Sequence, residues 1–458
     1  MKKFPKDFVW GTATSSYQIE GAHNLEGKGP SIWDAFCTIP GKVYQGHHGN
    51  TSIDHYHHYQ EDVALMKKLG FNAYRFSLSW PRIIPDGKGK PNEAGLAFYD
   101  RLIDELITHD IEPWITLYHW DLPLALQLEE DGWLSPTIVD HFARYAELCF
   151  NRFGDRVKHW ITLNEPWVVS ILGHGQGVFA PGRVSNTEPY LAAHHLLLSH
   201  AKAVQIYREK YAHQGGKVGI TNNGDWREPL TDKPEDKEAA ERALLFFLGW
   251  FADPVYLGDY PEVMKARVGD RLPQFTEEEK ALLKGSSDFF GLNHYTTMYA
   301  ADQSGGNVKQ DVYGNGGLSE DQDVILSRDK SWKLTAMNWA VVPWGCQKLL
   351  QWIHDRYDGP PIYITENGFA YEDQLKDGRV ADTERLEGYK DYLLACQAAI
   401  TDGVKLEGYF AWSMFDNFEW ASGYRPRFGI TYIDYETLER TPKDSAIWFG
   451  EVVRNNGI

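Results

Sequence analysis

The chain has 458 residues, of which 43% are hydrophobic and 24% charged, enough apolar material for a large packed core. A formal net charge of −18 excludes the cationic footprint that nucleic acid or an anionic membrane surface requires, and favours neutral small molecules as partners. Cys37, Cys149, Cys346 and Cys396 stand far apart with no CxxC pair, so buried thiols in a reducing, cytoplasmic setting are expected rather than disulfides.

The first residues, "MKKFPKDFVWG", have the lysines of a signal peptide without its apolar stretch. No run approaches the ~18 unbroken apolar residues of a membrane span. Eight segments rich in β-branched and aromatic residues then recur in order. They are "FVWGTAT" (8–14), "AYRFSLSW" (73–80), "EPWITLYHW" (112–120), "HWITLNEP" (159–166), "KVGITNN" (217–223), "DFFGLNHYTT" (288–297), "PIYITENG" (361–368) and "LEGYFAWSMFDN" (406–417). Each reads as a strand buried on both faces.

Between them apolar residues return every three or four positions, as in Phe98, Leu102 and Leu106, or Val139, Phe142, Tyr145 and Cys149. Ser135-Pro136 reads as an N-cap with proline at the first helical position. Strand and helix alternate, so the fold class is α/β with a parallel sheet, and a count of eight strands favours a (β/α)₈ barrel over an open doubly wound sheet. No composition shift marks a second domain, and residues 1–458 read as one catalytic barrel. The stretch 302–330, rich in Gly, Asp and Gln, is expected to be a long loop over the barrel mouth.

Two strand segments end on a carboxylate, the fourth at Glu165 and the seventh at Glu366. Strand ends form the active-site mouth of such barrels, so both side chains should converge on one pocket. Two carboxyls in a partly desolvated pocket do not both ionise freely, and one stays protonated as an acid. Glycoside hydrolysis needs that division of labour, with the second group acting either as nucleophile or as base for water.

The motifs "GTATSSYQIEGA", "YRFSLSWPRI", "HWDLP", "TLNEPW", "ITENG" and "FAWSMFDNFEWASGYRPRFGI" occur in that order across the chain. Together they closely resemble glycoside hydrolase family 1, the β-glucosidase family. The resemblance implies Glu165 as acid/base, Glu366 as nucleophile, retention of configuration and carboxyl groups ~5–5.5 Å apart. It also implies that Gln18, His119, Trp120, Asn164, Glu419, Trp420 and Phe428 hold the glycone, with Asn164 on the 2-hydroxyl and Trp412 as stacking platform. Arg75, Asn293 and Tyr295 would support the nucleophile. On the leaving-group side it implies Trp339 as platform and Trp167 and Leu172 as a narrowed entrance. The segment "AMNWAVVPWG" departs from the family pattern at Ala336, Asn338 and Ala340, so leaving-group preference does not carry over.

No cofactor or metal is expected for this chemistry. "DHYHHYQED" clusters His55, His57 and His58 without a second ligand motif and reads as helix-surface histidines. "GHGQG" (173–177) lacks a full phosphate-loop fingerprint and reads as a loop at the pocket rim. Expected partners are small neutral β-glycosides, such as cellobiose or aryl glucosides, with no nucleic acid or membrane; a homo-oligomer is admitted. A 6-phospho-β-glycosidase would place Ser, Lys and Tyr where this chain has Glu419, Pro426 and Phe428, whose carboxylate should repel a phosphate. A non-catalytic sugar binder would be expected to lack one of the two glutamates.

Overall fold

Eight parallel strands close into a barrel in which every strand pairs with its neighbours in sequence and β8 returns to β1. In chain order they are β1 (Val9–Ala13), β2 (Ala73–Ser77), β3 (Glu112–Tyr118), β4 (His159–Asn164), β5 (Lys217–Asn223), β6 (Phe290–Asn293), β7 (Ile362–Asn367) and β8 (Leu406–Trp412). The structure is a computed structural model that describes residues 2–303 and 321–458. Each of the eight segments expected to form a strand supplies one.

Helices cover the outside, among them α1 (His55–Leu69), α2 (Glu93–Thr108), α3 (Ile138–Phe153), α4 (Glu188–Ile206), α5 (Trp250–Leu257), α6 (Pro343–Arg356), α7 (Thr383–Thr401) and α8 (Asp444–Asn455). The periodic residues define their inner faces: Phe98, Leu102 and Leu106 of α2 and Phe142, Tyr145 and Cys149 of α3 are all buried. All four cysteines are free and buried. No helix among the described residues is long and apolar enough to cross a membrane.

The barrel interior is filled below the mouth by large rings. Trp114 packs on Tyr363 and Phe410 with centroids 4.8 and 5.0 Å apart, and Phe289 meets Tyr363 at 5.4 Å. Gly11 makes room for this layer, since a Cβ there would lie 2.2 Å from the Phe410 ring. Small residues opposite large ones are how a narrow barrel fills without a void.

Four local expectations are corrected. α3 begins at Ile138 with Thr137 as N-cap, and Ser135-Pro136 forms the turn before it, with Ser135 Oγ accepting from Thr137 N–H at 3.4 Å. His55 is buried and bonded to Asp62 at 2.8 Å, leaving only His57 and His58 at the surface of α1. The first part of "GHGQG" belongs to a wide helical turn, Val169–Gly175, rather than to a loop. The stretch 302–330 contains a strand, Val324–Ser327, paired antiparallel with Thr297–Asp302; Trp226–Pro229 completes this three-stranded sheet outside the barrel. Residues 304–320 of that stretch lie outside the described residues.

Candidate active site

Strict alternation along a strand would put residues three apart on opposite faces. Ile161 packs in the interior layer and Asn164 bonds Arg75 across the barrel, yet they are three apart. The register explains it: Ile161 pairs with Gly219 and Asn164 with Thr221, so β4 carries one more residue than β5. β7 repeats the device. Ile364 pairs with Leu292 and Glu366 with Asn293, which lets both Tyr363 and Glu366 face inward. An extra residue of this kind re-aims side chains and is common near functional sites.

Glu165 follows β4 in the left-handed region, at φ 47°, and Pro166 opens the short helix Pro166–Val168 behind it. Trp120 and Trp420 also take positive φ, at 78° and 48°. Such a backbone is costly for bulky residues, and it persists only where the surroundings over-determine it.

A chain of hydrogen bonds joins the two glutamates. Asn293 Nδ2 donates to Glu165 Oε1 at 2.7 Å and to Asn164 Oδ1 at 3.0 Å. Arg75 Nη2 donates to the same Asn164 oxygen at 2.7 Å, and Arg75 Nη1 to Glu366 Oε1 at 2.7 Å. Tyr295 donates its hydroxyl to Glu366 Oε2 at 2.7 Å. With two donors on its oxygen, Asn164 must turn Nδ2 towards His119 Nε2, 3.1 Å away. His119 is therefore the acceptor there. Burial and the Arg75 charge hold its pKa well below the usual imidazole value, so its one proton sits on Nδ1, which has no partner among the described residues.

Electrostatics separates the two carboxyls. Burial and the charge of Glu366 push Glu165 well above the ordinary carboxyl range, with a further rise from Asp225 and only partial relief from Asn293 and Arg75. Burial raises Glu366 too, but Arg75, Tyr295 and Asn293 all favour its charged form. Glu366 thus ionises first, and Glu165 keeps the proton.

Around this pair the rings form a box. Trp412 and Trp420 each lie nearly parallel to the His119 ring, with centroids 5.8 and 5.9 Å from it. Trp120 packs on Trp420 at 4.6 Å and donates Nε1–H to the Asn164 carbonyl at 2.9 Å. Phe428 and Trp339 flank Tyr295 at 6.0 and 5.0 Å. Gln18 is buried beside them, but both its amide N–H groups are directed at protein acceptors, Asn417 Oδ1 at 3.0 Å and the Phe418 carbonyl at 2.9 Å. Its Oε1 accepts from Ser15 at 2.7 Å. Glu419 Oε2 is buried without a partner among the described residues. A cavity of about 120 Å³ opens over Glu165, Asn293, Tyr295, Glu419, Trp120 and Trp420 and runs outward past Trp167, Leu172 and Trp339. Of the expected residues, Glu165, Asn293, Tyr295, Glu419, Trp120, Trp420, Trp167, Leu172 and Trp339 line this cavity, while Glu366, Asn164, His119 and Phe428 touch its lining, and Arg75 and Trp412 stand behind it against Glu366 and His119.

Residues 1–458 match the family model described as Glycosyl hydrolase family 1. The chain belongs to this family. It is 50% identical to Beta-glucosidase 42 of Arabidopsis thaliana over 99% of this chain and 94% of that one, and 49% identical to Beta-glucosidase 1B of Phanerodontia chrysosporium over 97% and 84%. Among solved structures it resembles the rice β-glucosidase Os3BGlu6, with TM-score 0.94 and 45% identity over 98% of both chains. It also resembles the family 1 β-glucosidase of Thermotoga maritima, with TM-score 0.93 and 44% identity over 100% and 99%.

In this family 1 chain the sequence reading passed over Asn223, Asp225, Phe247, Thr296 and Met337, all of which line the cavity. Asp225 was within reach of the same rule that found Glu165 and Glu366, because it lies just past the end of β5. Phe247 was not, because it lies in the wide turn Leu245–Gly249, distant in sequence from every strand end.

Proposed function

We propose that this family 1 chain is a retaining exo-β-glucosidase that removes terminal non-reducing β-D-glucosyl residues by double displacement. The carrying observation is the bonded chain from Glu165 through Asn293, Asn164 and Arg75 to Glu366, which holds two buried carboxyls close together in unlike environments. Glu366 Oε attacks the anomeric carbon while Glu165 gives its proton to the departing glycosidic oxygen. A glucosyl ester on Glu366 results. Glu165, now a carboxylate, takes a proton from water, which attacks the same carbon and releases glucose with its configuration restored.

His119 Nδ1 and the second N–H of Asn164 are donors available to glycone hydroxyls, and Trp412 and Trp420 supply planes for its C–H face. A related rice enzyme, mutated from Glu to Gln, has been described in a covalent complex with glucose, which supports an ester intermediate. The T. maritima relative has been described with a galacto-configured hydroximolactam, which supports β-galactosides, and with them β-fucosides, as secondary substrates. Cellobiose and aryl β-glucosides are the simplest candidate substrates.

Proton NMR of the first product formed from an aryl β-glucoside tests the reading. The β anomer should appear first and mutarotate, and α-glucose appearing first would sink retention. Glu366→Ala should abolish turnover and regain it with azide, giving an α-glucosyl azide. Glu165→Ala should slow cellobiose far more than a substrate with an acidic phenol, because only the former needs protonation; equal losses would remove Glu165 from that role.

A further inference from the structure

The direction of every proton beneath the two glutamates is fixed by one group. Arg75 can only donate, so the Asn164 atom it meets is the oxygen, and the Asn293 atom that shares this oxygen is the nitrogen Nδ2. The other amide atom of Asn293 is then Oδ1, and the Thr365 hydroxyl 2.8 Å from it must donate. Having given its proton, Thr365 accepts one from the Thr221 hydroxyl at 3.2 Å. A directed line of donors therefore runs from Thr221 through Thr365 and Asn293 to Oε1 of Glu165.

Thr365 owes its place to β7. Ile364 pairs with Leu292 and Glu366 with Asn293, so Thr365 is the extra residue, unmatched by any residue of β6. Its carbonyl accepts from Arg75 Nη1 at 2.9 Å, and both threonines are fully buried. Gly291 leaves the space for the Thr221 hydroxyl, since a Cβ there would lie 2.4 Å from it.

Asn293 is the single side-chain donor to Glu165 among the described residues. A carboxyl oxygen that faces a donor stays the unprotonated one, so the acid proton rests on Oε2. We propose that Thr365 is a positioning residue for the acid/base: its hydroxyl, itself oriented by Thr221, locks the Asn293 amide with Nδ2 towards Glu165, which places the acid proton on Oε2 and readies the same N–H for the carboxylate that follows. This rests on the β-glucosidase reading, with Glu165 as the acid.

Without the Thr365 hydroxyl, Oδ1 of Asn293 is buried and unpaired, and the amide gains by tilting towards another donor, which loosens its bond to Glu165. Burial and the Glu366 charge raise Glu165, Asn293 and then Arg75 pull it back, and Asp225 raises it further. Glu366, Arg75, Asp225 and also Tyr295 face Glu165, and replacing the Thr365 side chain removes none of them. Weakening the Asn293 bond therefore makes Glu165 hold its proton to higher pH.

The test is the pH profile of kcat/KM for phenyl β-D-glucoside, whose leaving group needs protonation, so that the alkaline limb reports Glu165 in the free enzyme. Thr365→Val keeps the branched shape and loses the hydroxyl, and its alkaline limb should lie about one pH unit above that of the wild type. Thr365→Ser keeps the hydroxyl and should keep the wild-type limb, and Thr221→Val should move the limb upward by less. The acidic limb, set by Glu366 with Arg75 and Tyr295 still in place, should move less than the alkaline one. A purely structural part would lower Tm and the active fraction without moving a limb, because limb positions do not depend on how much enzyme is active. An alkaline limb that is unmoved or lowered in Thr365→Val, or that moves as far in Thr365→Ser, overturns the proposal while leaving the β-glucosidase reading intact. Should Thr365→Val fail to fold, Thr221→Val decides, and an unmoved limb there overturns the proposal. Failure of the wild type to hydrolyse phenyl and 4-nitrophenyl β-D-glucosides would instead overturn that reading, and the inference with it.

Discussion

Glu419 shows how burial alters an argument made from residue type. As a carboxylate it would repel a phosphorylated sugar, but burial and the neighbouring Glu366 push its carboxyl up to about 8. Near neutrality it is an acid that donates as well as accepts. The expectation against 6-phospho sugars then rests on the nearby cations being committed. Arg427 is paired with Asp416 at 2.6 Å, and Arg425 lies over the Tyr44 ring at 5.0 Å. Glu419→Gln keeps a neutral donor and acceptor and should lower kcat/KM on an aryl glucoside about tenfold, whereas Glu419→Ala should cost about a thousandfold by leaving sugar hydroxyls unpaired. The wild-type KM should rise as pH passes 8 and the donor is lost. A KM that stays flat there would mean Glu419 does not titrate in that range.

At the scale of the strand, β7 and β8 approach so closely after Glu366 that residue 368 has no room for a side chain. A Cβ at Gly368 would lie 1.7 Å from the Trp412 carbonyl oxygen, a backbone atom that cannot move aside. Asn367 completes β7, and the glycine after it serves close approach. Gly368→Ala should therefore destabilise by ~3 kcal/mol or more and depress kcat even where the protein remains folded, since it separates Glu366 from Trp412. Thermal melts and initial rates check both.

The same strands mark how far the sequence was legible. Buried β-branched runs located all eight strands, and their carboxylate ends located Glu165 and Glu366, because burial and strand length leave a compositional trace. The extra residue in β4 and in β7 leaves none, as register depends on the neighbouring strand. The Asn164 amide orientation and the placing of Phe247 at the cavity were also illegible, being set by contacts between distant segments. The outer strand Val324–Ser327 was hidden because its three apolar residues make too short a run, set in a polar stretch, to stand out as a strand.

For the molecule as a whole, buried titratable groups should shape stability against pH. His174 and His194 are lowered to about 4 and His200 to about 3, chiefly by burial. The unfolded chain protonates them from 6.5 downward while the folded one resists, so stability is lost as pH falls below that value. Burial acts oppositely on acids: Asp121 rises to about 7 and Glu419 to about 8. Their folded forms hold protons that the unfolded chain has released, so stability is lost as pH rises towards 8. The two slopes oppose each other between ~4.5 and 6.5, and Tm should be highest there and fall on both sides. Glu419→Gln should raise Tm at pH 8 more than at pH 5. An equal change at both would dissociate Glu419 from the alkaline decline.

Asn293 spends its two side-chain N–H groups on neighbours of different fate, one on Glu165 and one on Asn164. In the proposed mechanism, each time Glu165 releases its proton the first of those bonds becomes charge-assisted and shortens while the second is unchanged. The amide is thereby a native indicator dye for the reaction. In a protein labelled with nitrogen-15 at asparagine, its paired proton resonances would split and converge as Glu165 cycles, timing the proton without any substitution at the site.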